Sequence, residues 1–255
     1  MKPGISIFFL FLLTSAFLPI QKKTEEVISE NRGYLLKKFV VRQSTINTTI
    51  YATIIDPRTV RVKIEGLTQK YSNGRSAIEV GRKGAKVVLG GGFMSSFYPI
   101  IPLGFLKIDG AVITALKTKG YNGVAGVKNG VLSLLSSSSQ SATNLDEGFQ
   151  TGPFLIREGK IVFKPTTDAS RNAYNRAFVG FNVNGKILVA VTTEPVTLQQ
   201  LAQYLLNSAY ADLKCQSVLN LSGGGSETLV VRGMNKQLFT YGSFNDNQSA
   251  LIAFY

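Results

Sequence analysis

The apolar and polar positions of this chain mostly alternate with the period of two residues that is typical of half-buried β-strands. The clearest alternation lies at residues 59–64, and residues 34–42 and 48–55 have a similar pattern, so the first part of the domain is predicted to be antiparallel β. Later apolar runs are separated by two-residue turn signals, which predict hairpins. These signals are Asp109-Gly110, Asn129-Gly130, Glu158-Gly159 and Asn184-Gly185.

A helical period is clear at residues 197–209, where Thr197 and Gln200 form a capping box and leucines follow at helical spacing. Residues 76–86 are a weaker helix candidate because two glycines interrupt them. We therefore predict an α+β protein with mixed, largely antiparallel sheets and few helices. The polar segment 164–175 is predicted to be a loop.

Two apolar runs end at three consecutive glycines, at residues 90–92 and 223–225. Each run follows a predicted helix, so the order of helix, strand and glycine turn suggests a pseudo-repeat. Glycine permits positive φ and close approach of a ligand to the main chain, so both turns are predicted to face one cleft. The candidate substrate-binding glycines are Gly91, Gly92, Gly223, Gly224 and Gly225. Tight turns at strand ends explain these glycines almost as well.

The N-terminus has the pattern of a secretory signal peptide over residues 1–18, with Lys2 before an apolar run and small residues after it. The run is short for a transmembrane helix, although an uncleaved N-terminal anchor is an alternative. We therefore expect an exported protein that is periplasmic, extracellular or associated with the cell envelope. Residues 19–44 are predicted to be a linker or peripheral N-terminal segment, and residues 45–255 the functional domain.

The composition limits the partners and the kinds of catalytic or metal site that this chain can have. The chain has 28 Lys and Arg residues against 15 Asp and Glu residues, a formal charge of +13 that favours anionic partners. These basic residues are scattered along the chain, which argues against a nucleic-acid surface. The alternative to an anionic partner is a basic surface that only keeps the protein soluble. The chain contains no His and a single Cys, Cys215, which excludes His-based triads, His metal ligands and an intrachain disulfide. No cofactor is predicted. A divalent cation such as Ca²⁺ stays open as an alternative, since carboxylates and main-chain oxygens could coordinate it, although no spacing here indicates such a site.

Several short motifs occur in a defined order and together resemble the phosphodiester glycosidase family. They are G-G-G-F (90–93), P-L-G-F (102–105), I-D-G (108–110), T-G-P (151–153), E-G-K (158–160), R-A-F-V-G (176–180), N-G-K (184–186), L-x-x-L-A (198–202) and N-L-S-G-G-G-S (220–226). The family includes the N-acetylglucosamine-1-phosphodiester alpha-N-acetylglucosaminidase and many exported bacterial proteins. The resemblance covers residues 45–255 and implies a hydrolase that acts on a phosphate-linked sugar, here an envelope glycan.

The chain departs from the family pattern at three places. Family members usually carry Asn-Gly-Gly-Phe where this chain has Gly90, and Leu-Asp-Gly-Gly where it has Ser222. Many members also carry Asp-Gly after the hairpin that here leads to Glu194. An amide and a carboxylate expected at the cleft are thus absent. The alternative hypothesis is therefore a catalytically impaired relative that binds anionic glycans without cleaving them.

The resemblance and these departures define the remaining candidate residues. Arg176 matches an arginine of the family and is expected to bind phosphate, for which a guanidinium is suited. Glu194 and Glu227 are the carboxylates that could replace the missing one, against the alternative of solvated surface groups. The hydroxyl residues expected to bind phosphate or sugar are Thr151, Ser222 and Ser226.

Overall fold

Antiparallel β-sheets form the core of the computed structural model, which describes residues 24–117, 119–243 and 247–255. The predicted signal peptide, residues 1–18, lies outside the described residues. Within the described part, none of the helices combines the length and apolar character that crossing a membrane would require.

The strands are numbered in chain order. The first ten are β1 (Thr24–Asn31), β2 (Tyr34–Gln43), β3 (Ile46–Ile55), β4 (Val62–Gly66), β5 (Val87–Gly91), β6 (Met94–Phe97), β7 (Ile100–Pro102), β8 (Leu106–Ile108), β9 (Ala111–Thr114) and β10 (Gly123–Lys128). The next ten are β11 (Val131–Ser136), β12 (Glu147–Thr151), β13 (Phe154–Arg157), β14 (Lys160–Ile161), β15 (Arg176–Asn182), β16 (Ile187–Thr192), β17 (Cys215–Gly223), β18 (Thr228–Arg232), β19 (Leu238–Gly242) and β20 (Ala250–Phe254). The helices are α1 (Ala77–Arg82), α2 (Asp168–Arg171), α3 (Leu198–Asn207) and a 3₁₀ turn at Gln140–Thr143.

These strands form an eight-stranded sheet, two five-stranded sheets and a two-stranded hairpin within the described residues. The eight-stranded sheet has the order β1-β2-β3-β16-β15-β17-β13-β14. The five-stranded sheets have the orders β11-β10-β12-β8-β9 and β19-β18-β5-β20-β4, and β6 pairs with β7. The strand pairs of the described residues are antiparallel throughout.

One large apolar core lies between the sheets and includes Leu89, Phe149 and Leu221 from three of them. A second core lies where the apolar face of α3 covers the eight-stranded sheet, with Leu201 and Leu205 fully buried. A third lies under α1, where Val80 packs near Val88 of β5. The helices thus cover outer faces of the sheets, and the central core joins the three sheets to one another.

The structure confirms the prediction of largely antiparallel sheets with few helices, and the described residues are largely β. The strand predicted at residues 34–42 is β2, and the polar residues before it form β1 (Thr24–Asn31), so both strands of the predicted linker or peripheral segment belong to the eight-stranded sheet. The capping box of α3 is confirmed: the Gln200 N–H donates to the Thr197 hydroxyl and the Thr197 N–H to the Gln200 side chain. The predicted hairpin turns are confirmed as well, with Gly185 at φ +70° between β15 and β16.

The order of helix, strand and glycine turn does occur twice, through α1 and β5 and again through α3 and β17. The two strands belong to different sheets, and the two helices cover different cores. The pseudo-repeat itself stays a prediction.

Candidate functional site

A cavity of about 820 Å³ lies where β15 begins and β17 ends. Its wall combines the second glycine turn, the Gly152-Pro153 link between β12 and β13, and the polar loop that precedes β15. Because neighbouring antiparallel strands begin and end at the same edge of a sheet, this topology brings distant parts of the chain together there.

Arg176 is the central polar residue of this wall. It is the first residue of β15 and only 5% exposed. Its Nε donates to the Val196 carbonyl at 3.2 Å and its Nη2 to the Asn172 carbonyl at 2.8 Å. The guanidinium also lies over the ring of Tyr174, 5.0 Å from its centroid. Carbonyls and an aromatic ring therefore fix the orientation of this cation.

No carboxylate of the described residues forms an ion pair with Arg176. Burial lowers the pKa of Arg176 to about 10, so the guanidinium remains charged at neutral pH. A buried charge without a counter-ion is unfavourable, and an anion in the cavity would compensate for it. Arg176 thus lines the cavity, and its role in binding an anion stays a prediction.

The second glycine turn borders the cavity through Gly223 and Gly224. The N–H of Gly224 donates to the Asn175 carbonyl at 3.2 Å, and the N–H of Gly225 donates to Glu227 Oε2 at 2.8 Å. These two amides are already used within the protein, so a ligand that approaches the main chain here does not find their N–H groups free. The glycines provide room instead, because a Cβ on Gly223 would lie 2.6 Å from the Asn175 carbonyl oxygen.

The first glycine turn is packed into the interior. Gly91 and Gly92 are buried, and a Cβ on Gly91 would lie 2.8 Å from the ring of Phe149 and 3.3 Å from Leu221. Of this region only Phe93 lines the cavity. The structure thus places Gly91 and Gly92 in the packing between sheets, and the prediction that both turns border one cleft is wrong for these two residues.

The predicted hydroxyl ligands lie behind the cavity wall. Thr151 is fully buried and donates to the Leu221 carbonyl at 2.9 Å. Ser222 is 2% exposed and donates to the Ser226 carbonyl at 3.2 Å. Neither Thr151, Ser222 nor Ser226 belongs to the lining. The Thr151 and Ser222 hydroxyls satisfy main-chain acceptors at the strand end, so they support the wall rather than face a ligand, whereas Ser226 takes part through its carbonyl, which accepts the Ser222 hydroxyl.

Neither of the two predicted carboxylates lines the cavity. Glu194 Oε2 accepts hydrogen bonds from the Thr49 N–H at 2.5 Å and the Thr193 hydroxyl at 2.8 Å. Burial would raise the pKa of Glu194, but these hydrogen bonds outweigh it and hold the pKa below its ordinary value. Glu227 is 4% exposed and accepts from Gly225 and, at 3.4 Å, from the Asn175 amide.

No Asp or Glu of the described residues lines the cavity. The same part of the chain contains no cluster of three or more His, Cys, Asp or Glu side chains arranged to hold a metal ion. The arrangement can therefore bind an anion through Arg176, while a carboxylate general acid could come only from behind the wall, as at Glu227.

The candidate site residues predicted from the sequence did not include the aromatic pair that lies on the wall. Phe93 and Tyr121 stack with ring centroids 4.5 Å apart and planes 2° apart, and both line the cavity. Burial raises the pKa of Tyr121, so its hydroxyl is neutral. Flat aromatic faces next to polar groups suit the apolar face of a sugar ring. The G-G-G-F motif was the available signal for Phe93, but nothing local distinguished Tyr121.

The polar loop before β15 supplies another group that was missed. Its side chains on the wall are Lys164, Thr166, Thr167, Ser170 and Tyr174. The prediction of a plain loop is corrected by the short helix α2, whose N-terminus is capped by Thr167. Asn220 of β17 also lines the cavity; its Nδ2 donates to the Gly152 carbonyl at 3.0 Å, while its buried Oδ1 has no partner in the described residues.

Comparisons with known proteins agree with this architecture. A crystal structure of a hypothetical Synechocystis protein aligns with a TM-score of 0.68 at 13% identity. The alignment covers 92% of this chain and 64% of that one, so this chain spans less than two thirds of that protein. The catalytic domain of zebrafish N-acetylglucosamine-1-phosphodiester alpha-N-acetylglucosaminidase, auto-inhibited by its pro-peptide, aligns with a TM-score of 0.61 at 21% identity, covering 91% of this chain and 87% of that one. A putative exported protein of Burkholderia pseudomallei aligns with a TM-score of 0.55 at 11% identity, covering 82% and 74%. At these identities the alignments show a shared fold.

No curated protein matches the sequence. The family model described as phosphodiester glycosidase matches residues 83–251, which include the whole wall of the cavity. This match confirms the resemblance drawn from the ordered motifs. The chain belongs to the phosphodiester glycosidase family.

Proposed function

We propose that this protein recognises a phosphate-linked sugar of an envelope glycan in the cavity beside Arg176. The observation that carries the proposal is the buried Arg176 guanidinium, which has three protein contacts and no carboxylate partner among the described residues. Arginine suits phosphate because its fork of N–H donors matches two phosphate oxygens.

The other parts of the wall fit the sugar. The stacked pair Phe93 and Tyr121 offers an aromatic surface, and the hydroxyls of Thr166, Thr167 and Ser170 offer donors and acceptors. A volume of about 820 Å³ accommodates a sugar phosphate with its substituent, since small-molecule sites usually occupy about 300–1,000 Å³. The name of the zebrafish relative, which specifies an N-acetylglucosamine 1-phosphodiester, supports the same class of ligand.

Binding of the phosphodiester without cleavage is the function that the geometry supports best. Glycoside hydrolysis generally requires two carboxyl groups next to the scissile bond. The described cavity wall contains none, and the Ser222 hydroxyl stands where the family motif has a carboxylate. A serine without a neighbouring base does not replace a titrating acid.

Hydrolysis is the second candidate, and membership of a glycosidase family favours it. Glu227 is then the candidate carboxylate. It accepts a hydrogen bond from the N–H of Gly225, and Gly225 directly follows the wall residue Gly224. Release of sugar by the purified wild-type domain, and its loss in Glu227→Gln, would establish this alternative over binding alone.

Titration calorimetry with the methyl phosphodiester of N-acetylglucosamine 1-phosphate tests the proposal. Arg176→Ala should weaken binding about 10- to 100-fold, since a hydrogen bond to a charged group contributes about 1.5–3 kcal/mol. Arg82→Ala, which removes an exposed arginine from α1, is the matched control and should bind as the wild type does. Equal binding by the wild type and Arg176→Ala would contradict the proposal.

Export supports an envelope ligand but rests on sequence alone. The signal-like residues 1–18 and the formal charge of +13 both suit a protein that meets anionic glycans outside the cytoplasm. Expression of the full chain fused to a reporter that is active only after export would test this. Retention of the reporter in the cytoplasm would contradict it.

A further inference from the structure

Gln248 does not line the cavity, yet it is joined to the wall by hydrogen bonds. It is 1% exposed, and its Nε2 donates to the Ser226 carbonyl at 3.0 Å. The same carbonyl accepts the hydroxyl of Ser222 at 3.2 Å. Ser226 directly follows the glycine turn whose residues Gly223 and Gly224 border the cavity. Gln248 therefore contacts the wall from behind.

Gly90 provides the space for this amide. A Cβ on Gly90 would lie 2.6 Å from Gln248 Nε2 and 2.7 Å from Gln248 Oε1. Gly90 does not have a positive φ, so a glycine is needed there for space and not for backbone conformation. The amide nitrogen of an asparagine lies two bonds from its own Cβ, a comparable separation. An asparagine at position 90 and the Gln248 amide would therefore compete for one place.

The orientation of the Gln248 amide follows from its neighbours. Nε2 lies near the Ser226 carbonyl and 3.4 Å from the Thr228 hydroxyl oxygen, whereas a reversed amide would set Oε1 against the Ser226 carbonyl. The main chain of Gln248 is fixed by two hydrogen bonds with Arg75, at 3.0 and 3.2 Å. Oε1 is buried without a partner among the described residues. The fold thus tolerates an unsatisfied oxygen while the nitrogen holds Ser226.

We propose that Gln248 is a positioning residue, which holds Ser226 and thereby keeps the turn at 223–225 in the geometry that a phosphate-linked sugar requires. This inference rests on the proposed function of the cavity. The Gln248 amide lies in the space that a side chain at position 90 would otherwise occupy.

An exchange of the amide between the two positions tests the proposal. Calorimetry with the methyl phosphodiester of N-acetylglucosamine 1-phosphate should show that Gln248→Ala weakens binding about three- to tenfold, the loss expected for one hydrogen bond. The double variant Gly90→Asn with Gln248→Ala should recover most of the affinity, because the asparagine amide can occupy the vacated place. Gln237→Ala, at an exposed glutamine, is the control and should bind as the wild type does.

The outcomes separate this inference from the proposed function. Wild-type affinity in Gln248→Ala, together with weakened binding in Arg176→Ala, would overturn the inference and leave the proposed function intact. A folded double variant that stays weak would also overturn it. Absence of binding in the wild type would overturn both. If Gln248→Ala does not fold, Gln248→Met keeps the volume without the donor and should show the same loss of affinity.

Discussion

The two triple-glycine turns share the run of three glycines but have different surroundings. The first, residues 90–92, is buried, and a Cβ on Gly91 would lie 2.8 Å from Phe149 and 3.3 Å from Leu221, which belong to other sheets. The second, residues 223–225, is partly exposed, and Gly224 and Gly225 have φ values of +72° and +118°. Glycine is needed at Gly91 because the sheets approach closely, and at Gly224 and Gly225 because the main chain turns through a conformation that other residues rarely adopt.

This difference shows what a run of glycines predicts. It locates places where something approaches the main chain, but the approaching group can be a ligand or another sheet. At Gly91 the approaching group is the phenyl ring of Phe149, and at Gly224 the open side is the cavity. Substitutions in the first turn should therefore change the stability of the fold, and those in the second should change the binding of a ligand.

The largest expected effect is that of Gly91→Ala on stability. Its Cβ would lie 2.8 Å from the buried Phe149 ring, so the substitution overpacks the core and should cost about 1–3 kcal/mol of unfolding free energy. For a chain of this size the melting temperature should fall by about 2–4 °C for each kcal/mol. Thermal denaturation followed by circular dichroism measures it.

Calorimetry on the folded Gly91→Ala variant completes this test. Its affinity for the phosphodiester probe should equal that of the wild type. A large loss of affinity at unchanged stability would mean that the first turn also belongs to the site, and the contrast between the turns would be lost.

A smaller effect on stability, with a clear effect on binding, is expected for Gly224→Ala. A residue other than glycine at φ +72° costs about 1 kcal/mol, and the added methyl group would lie 3.4 Å from Tyr174 at the cavity wall. Gly185→Ala is the matched control, because Gly185 has φ +70° in a hairpin turn with open space around it.

Both alanine variants should lose similar stability in a denaturant titration, and only Gly224→Ala should bind the probe more weakly. Equal affinities in the two variants would remove the second turn from the site. Both glycine turns would then serve only to stabilise the fold.

Much of the fold could be predicted from local signals. The hairpin at Asn184-Gly185 and the capping box at Thr197 were recognisable because turn and cap chemistry involve residues close in sequence. The strand β1 was missed because its polar, mixed-charge sequence resembles a surface segment, and its conformation depends on pairing with β2. Such pairing is tertiary information that an isolated segment does not contain.

The candidate site was predictable only in part. Arg176 and the turn that includes Gly223 were found through motifs, and the structure places both on the cavity wall. The roles of Ser222 and Glu194 could not be predicted, since proximity in sequence to a site does not fix the direction of a side chain. Both groups turn towards main-chain partners. Tyr121 was missed because its stacking partner Phe93 is distant in sequence.

The smallest effect is expected for Glu194→Gln. This variant tests whether Glu194, a candidate catalytic carboxylate, stabilises the fold instead of acting on a ligand. The amide keeps one acceptor for the Thr49 N–H but loses the charge, so stability at pH 7 should fall by less than about 1 kcal/mol and affinity for the probe should not change. Since the folded-state pKa of Glu194 is lowered, its contribution is present above the ordinary glutamate pKa of about 4.3 and is lost as the pH falls through the folded-state value. The stability difference from the wild type should therefore shrink in acid. A loss of binding without a loss of stability would instead show that Glu194 contributes to the ligand site.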